Sequence, residues 1–196
     1  MLRVGITGPI GCGKSYVAGR LVAMGFSVYD ADREAKALVA RSASLRDDIR
    51  SLLGEEAFGE DGAYNRAWVA QRVFSDRSLL EGLNGLIHPA VLADFDRFAT
   101  EQGEAGFVFM ESALLPQIAW RGVLDRVVVV TAPEALREER VQRRDGVDLE
   151  QVRARMRSQA GEEAYLRIAD ATVENDGTGN IDWAIVAALS SLRHAE

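Results

Sequence analysis

Along the chain, short unbroken apolar runs alternate with longer stretches whose apolar residues recur every three or four positions. LRVGI (2–6) is the first run. FSVYD (26–30) follows the helix-like SYVAGRLVAMG, which Gly25 ends. GFVFME (106–111) is a third run, and RVVVVTA (126–132) is the continuous β-branched stretch expected of a strand buried on both faces. ATVEN (171–175) is a shorter fifth. Strands alternating with helices predict right-handed crossovers and an α/β fold, with a five-stranded parallel sheet covered by helices on both sides.

The spacing is uneven. Some 75 residues lie between the second and third strands. Two parts of that interval, ADREAKALVARSASLRDDIRSLLG and NRAWVAQRVFSDRSLLEGLNGLIHPAVLADFDRFATEQ, have helical character, with the turn-rich GEDGAY between them. The interval is too long for a plain crossover and predicts a helical insertion. Residues 134–168 are also helical in pattern and dense in charge. No repeat, low-complexity tract or separating linker interrupts the chain, so a single domain is expected.

Composition narrows the function classes. With 196 residues, 47% hydrophobic and 27% charged, the chain can bury a sizeable core and is ordinary for a globular protein. A net charge of −7 argues against general nucleic-acid binding, which needs a basic surface. No apolar run reaches the length of a membrane span and no basic-then-apolar leader precedes the first strand, so no membrane partner and a cytoplasmic location are expected. The single cysteine, Cys12, cannot form an internal disulfide and reads as a small residue filling a loop position. A monomer or weak homo-oligomer is expected.

GPIGCGKS (8–15) directly follows the first strand and opens the first helix. It fits G-x-x-x-x-G-K-[ST] from Gly8 through Gly13 and Lys14 to Ser15. Phosphate oxygens approach backbone N–H groups closest where no side chain intervenes, which accounts for Gly8, Gly11 and Gly13. The helix adds unpaired N–H groups and the positive end of its dipole. In this pattern Lys14 reaches the β- and γ-phosphates and the Ser15 hydroxyl ligates Mg²⁺. Only Lys14 and Lys36 are lysines here, so Lys14 is not one of many surface cations. The pattern predicts a bound nucleoside triphosphate, without saying whether phosphate is transferred, hydrolysed or sensed.

Asp30 and Asp32 end the second strand, where ligands of open parallel sheets bind. In extended chain their i,i+2 spacing puts both carboxylates on one face, one to take a proton from an attacking hydroxyl and either to hold Mg²⁺ through water. The alternative is that they cap the next helix. After the fourth strand come Arg137, Arg140, Arg143, Arg144, Arg153, Arg155 and Arg157, with acids interleaved. Much of this is a solvated face with i,i+4 pairs. Arg140 and Arg144 nevertheless share one side of a helix, and arginines on a movable segment beside a phosphate site suit a kinase lid. Asn175, in END before Gly177, either contacts a purine base or belongs to a plain turn. His88, in IHP (87–89), reads by itself as structural, with Pro89 marking the start of the next helix.

The pieces TGPIGCGKS, VYDAD, LIHP, ESALL, RVQRRD, ARMRSQ and AD-ATVENDG, in this order, resemble the dephospho-coenzyme A kinase family over nearly the full chain. The phosphate loop alone fits many ATPases and GTPases; the ordered set is much narrower. The resemblance implies a P-loop NTPase-type three-layer fold with a core (1–32, 106–136 and 161–196), a helical CoA-binding part (33–105) and a lid (137–160). It implies transfer of the γ-phosphate of ATP, with Mg²⁺, to the 3′-hydroxyl of the ribose of dephospho-CoA, the last step of CoA synthesis. By the same resemblance Gly11, Cys12, Gly13, Lys14, Ser15 and Tyr16 line the triphosphate, and Asn175 lies near adenine. Asp32 activates the acceptor and joins Ser15 at the metal, Arg140 acts on the phosphates, and His88 joins Asp32 in holding the substrate. Two positions depart from the family's pattern: Tyr16 stands where a threonine is usual, and Gln117 where a glutamate is, so that acid's role is not carried over.

The residues alone leave room for a nucleoside or nucleotide kinase of the same architecture and for a nucleotide-sensing module. The paired acids and the arginine lid speak against a sensor, and no asparagine-lysine-x-aspartate motif supports a GTPase.

Overall fold

A computed structural model describes residues 1–103 and 105–194. Its strands are β1 (Leu2–Thr7), β2 (Ser27–Asp30), β3 (Phe107–Glu111), β4 (Arg126–Thr131) and β5 (Ala171–Glu174). They form one five-stranded parallel sheet in the order β2-β3-β1-β4-β5. The valine run of β4 is buried from Val127 to Val130, as a strand covered on both faces requires. The registers set Ile6 beside Glu111, Thr7 beside Val129 and Thr131 beside Glu174, so the carboxyl ends of these strands share one edge.

By contact, the chain divides into two units, Met1–Tyr29 with Ala99–Glu196 and Asp30–Phe98. In the first, helix α1 (Lys14–Ala23) buries Val17, Ala18 and Leu21 on one face and stops where Gly25 takes a left-handed φ of 89°. With Ile185, Ala188 and Leu189 of a C-terminal helix, Val17 and Leu21 pack on Val4, Ile6, Phe109, Val128, Val130 and Val173. On the opposite side, Gly5 leaves room for Leu115 and Leu124, whose methyl carbons would lie 2.5 and 2.9 Å from a Cβ there.

The second unit contains α2 (Ala31–Arg41), α3 (Ala43–Leu53), α4 (Arg66–Phe74) and most of α5 (Arg77–Glu101). The side chains of Ser42 and Asn65 accept hydrogen bonds at the starts of α3 and α4. Asp94, on α5, is 8% exposed and is held by Arg41 at 2.8 and 2.9 Å and by Arg97. Pro89 does not begin a helix: it lies inside the 25 residues of α5. The missing N–H removes one backbone bond, and turns of helix on both sides carry the element through.

Back in the first unit, the charged stretch after β4 forms α6 (Glu134–Asp145), α7 (Leu149–Ser158) and α8 (Glu162–Leu166). Gly146, at φ 65°, ends α6, and the Asp148 side chain accepts from Gln151 N–H to start α7. A last helix, α9 (Ile181–His194), follows β5. Among the described residues no helix is long and apolar enough to cross a membrane.

Candidate active site

The loop 8–13 leaves the carboxyl end of β1 and runs into α1. Its glycines are demanded first by packing. A Cβ on Gly8 would sit 2.2 Å from the Val130 carbonyl oxygen, one on Gly11 2.5 Å from the Arg137 carbonyl oxygen, and one on Gly13 2.2 Å from Asn175 Nδ2. So β4, α6 and the loop after β5 press against the three positions, beyond any demand a phosphate would make.

Some of the loop's N–H groups are engaged. Cys12 N–H donates to Pro9 O at 3.2 Å, Val17 N–H donates to Gly13 O at 3.0 Å, and Ile10 N–H donates to Gln159 Oε1 at 2.9 Å. The N–H groups of Gly13, Ser15 and Tyr16 make no hydrogen bond among the described residues, and the first turn of α1 has neither an acidic residue nor a side-chain cap. That is the helix end an anion fits. Lys14 is half-buried and has no ion pair among the described residues, so its ammonium group is uncommitted. A cleft of about 240 Å³ is lined by Gly11, Gly13, Lys14, Ser15, Tyr16, Arg140 and Arg144.

Ser15 Oγ donates to Glu111 Oε1 at 2.9 Å. Glu111 is the last residue of β3, next to β1 in the sheet, and is a candidate site residue that the sequence reading did not name. The available signal was an acid closing a predicted strand, at the end where ligands of parallel sheets bind. A hydroxyl and a carboxylate at hydrogen-bond distance are hard oxygen donors. They suit Mg²⁺, which takes one or two protein oxygens and completes its shell with water and phosphate. Among the described residues no group of three His, Cys, Asp or Glu side chains is placed to cage a metal ion.

Cys12 belongs to the loop through its backbone only. Its side chain is fully buried in the core cluster, and burial pushes the thiol above its ordinary range, opposed by the Lys14 charge and backbone N–H. Its carbonyl accepts from Asn175 Nδ2 at 2.9 Å and from Arg140 Nη1 at 3.4 Å. Asn175 is 8% exposed, and its Oδ1 accepts from Arg140 Nη2 at 3.4 Å. Its amide is therefore engaged by the loop and by α6 and is not presented to a base; it fastens the phosphate loop to the end of β5. Arg140 reaches Gly11 O as well, at 3.4 Å. Arg144 is turned to its neighbour Asp145 at 2.7 and 3.0 Å.

The two aspartates separate in role. β2 ends at Asp30, whose Oδ1 accepts from Arg33 N–H at 2.9 Å and caps α2. Asp32 lies in the first helical turn, exposed. The extended geometry that would put both carboxylates on one face is absent, because the chain has already turned helical at Ala31. Of the arginines assigned to a lid, Arg137 is buried: its Nε donates to Ala132 O at 3.1 Å and its Nη2 meets Glu162 at 3.2 Å, joining α6 to α8. His88 is half-buried on α5, where burial lowers its pKa. Gln117 is exposed in a 3₁₀ turn after β3.

The CoaE dephospho-CoA kinase family model matches residues 2–180. The chain belongs to the dephospho-CoA kinase family. A curated dephospho-CoA kinase of Porphyromonas gingivalis is 40% identical over 176 residues, covering 89% of this chain and 86% of the relative. The crystal structure of TT1252 from Thermus thermophilus superposes with a TM-score of 0.79 at 34% identity, covering 100% of this chain and 98% of that one. The dephospho-CoA kinase of Campylobacter jejuni, 23% identical, shares the fold with a TM-score of 0.70 over 97% of this chain and 96% of its own. Family membership makes the protein a phosphotransferase with ATP and dephospho-CoA as substrates.

Proposed function

We propose that the chain transfers the γ-phosphoryl group of ATP to the 3′-hydroxyl of the ribose of dephospho-CoA, giving CoA and ADP, the last step of CoA biosynthesis. The observation that carries this reading is the uncommitted Lys14 beside a Ser15–Glu111 pair at 2.9 Å, in a chain matched to this family over residues 2–180.

Each residue then has work set by its chemistry. The free N–H groups at the start of α1 hold the phosphate chain, and Lys14 neutralises its terminal oxygens. Ser15 and Glu111 would hold Mg²⁺, whose charge would offset that of the phosphate oxygens. Arg140 stands at the rim of the same cleft, where its guanidinium can leave two carbonyls at 3.4 Å for a phosphate oxygen, a stronger acceptor. Asn175 keeps the loop in shape. Asp32 is exposed, with nothing in its immediate helical turn to occupy it, and takes the proton from the acceptor hydroxyl. His88 and the helical unit that carries it supply surface for the acceptor. A cytoplasmic setting fits a chain whose one cysteine is a sealed thiol.

The test is direct. Purified protein given ATP, Mg²⁺ and dephospho-CoA forms ADP and CoA in equal amounts. ATP consumption without CoA, or a higher kcat/KM for a nucleoside or nucleoside monophosphate, overturns the reading.

A further inference from the structure

Ser15 and Tyr16 follow one another in the first turn of α1, so their side chains leave the helix about 100° apart. Ser15 turns to Glu111 on β3. Tyr16 lines the Lys14 cleft, together with Arg140, Val141 and Arg144 of α6. Its side chain is one of the large apolar surfaces left in water, at 57% exposure. Aromatic surface uncovered inside a ligand cleft is surface that a flat ligand gains by covering.

The polar side chains around the ring already have partners. Arg140 bonds to the Gly11 and Cys12 carbonyls and to Asn175, and Arg144 to Asp145. Arg20, one turn further along α1, is close enough to feel the phenol's charge but is held by Asp182 at 2.6 and 2.8 Å. In the loop after β5, the Asn175 amide is fastened to the Cys12 carbonyl, and the Asp176 carboxylate accepts from Thr178 and Gly179. Asn175, the side chain expected at adenine, is therefore not offered to the edge of a base. Tyr16 makes no hydrogen bond, ring contact or cation–π contact among the described residues.

We propose that Tyr16 is the residue that holds the nucleoside of the phosphate donor, with its ring laid against the face of the base. The inference rests on the nucleotide site of the kinase reading above and deepens it. Lys14 takes the terminal phosphates, so the nucleoside lies at the other end of the phosphate chain. The cleft that contains Lys14 offers that end an aromatic ring and Val141, which is 1% exposed, as its apolar walls. Every base has a π-face, so a ring holds it without reading its edge. The threonine usual at this position in the family has a methyl and a hydroxyl and no such face. The contact is thus a property of this chain, and the departure at Tyr16 substitutes stacking for the edge contact that Asn175 does not make.

The experiment measures, by calorimetry on the full chain, the Kd of Mg·ATP and of Mg·tripolyphosphate for wild type, Tyr16→Ala and Tyr16→Phe. Tripolyphosphate carries the phosphate chain without the nucleoside. Tyr16 is exposed, so both variants should fold, and a thermal melt verifies this. Tyr16→Ala should weaken ATP by about fivefold or more and tripolyphosphate by less than about twofold. Tyr16→Phe, which keeps the ring, should hold ATP within about twofold of wild type. In the CoA assay the Tyr16→Ala loss should appear in KM for ATP more than in kcat, as loss of ground-state binding does. Wild type that binds no Mg·ATP overturns the kinase reading and the inference with it. Wild type that binds ATP but forms no CoA overturns the acceptor assignment, and the binding comparison still decides the inference. ATP affinity in Tyr16→Ala within about twofold of wild type overturns the inference alone. Equal losses for ATP and tripolyphosphate overturn it too, because they place the effect of Tyr16 in the shape of the loop.

Discussion

Replacing Gly13 by alanine tests how the loop is held. Two costs can be separated. Gly13 has φ 92°, and a side chain in that left-handed region costs about 1–2 kcal/mol. The new Cβ would also lie 2.2 Å from Asn175 Nδ2. Asn175 is buried, so the amide must swing away and give up its 2.9 Å bond to the Cys12 carbonyl. Losing that bond costs about 1–3 kcal/mol. Gly13→Ala should therefore destabilise by about 2–5 kcal/mol, and Asn175→Ala, which loses the same bond, by about 1–3 kcal/mol. In the double variant the bond is already gone and only the φ strain adds. The double variant should fall short of the sum by about 1–3 kcal/mol, the value of the shared bond. Urea unfolding of the four proteins, with equal m-values required, measures this. Additivity within about 0.5 kcal/mol would refute the claim that these positions are coupled through the amide.

Glu111→Gln keeps an oxygen for Ser15 Oγ but removes the charge, so the Mg²⁺ concentration for half-maximal activity should rise roughly 10–100-fold, read by metal titration of the kinase assay. Lys14→Ala and Asp32→Asn should each lower kcat by on the order of 10²-fold, and near wild-type turnover in Asp32→Asn would remove it from the base role. His88 has its pKa lowered by burial, so the unfolded chain binds the proton more readily than the folded one. Stability from this site is full above the ordinary histidine value of 6.5 and is lost as pH falls toward the depressed folded value. Thermal midpoints of wild type should drop across that window and those of His88→Gln should drop less.

The strands were legible because each is a compact apolar run, and the phosphate loop because its residue types are tied to one geometry. Neighbour order in the sheet was not, since a parallel strand reads the same at any position; this concealed Glu111, which matters because β3 lies beside β1. The shared extended face expected of Asp30 and Asp32 is absent for a local reason: at the end of a strand the chain can continue extended or turn helical, and it turns here, with Asp30 taking the alternative role of helix cap through the Arg33 N–H bond. Pro89 looked like a helix start because proline favours the first turn, but burial of Leu83, Val91, Leu92 and Phe95 on both sides of it outweighs one lost backbone bond. Asn175 looked like a base contact or a turn. Its actual partners are the Cys12 carbonyl and Arg140, at 163 and 35 residues' separation, which no local pattern encodes.

The concealment of Cys12 gives the chain a built-in gauge of its own breathing. As the sole cysteine, with 0% of its surface exposed, it meets an alkylating reagent only when the core wall behind the phosphate loop comes apart. The rate at which iodoacetamide marks the protein therefore counts those excursions, and a nucleotide that clamps the wall should slow the clock without any engineered label.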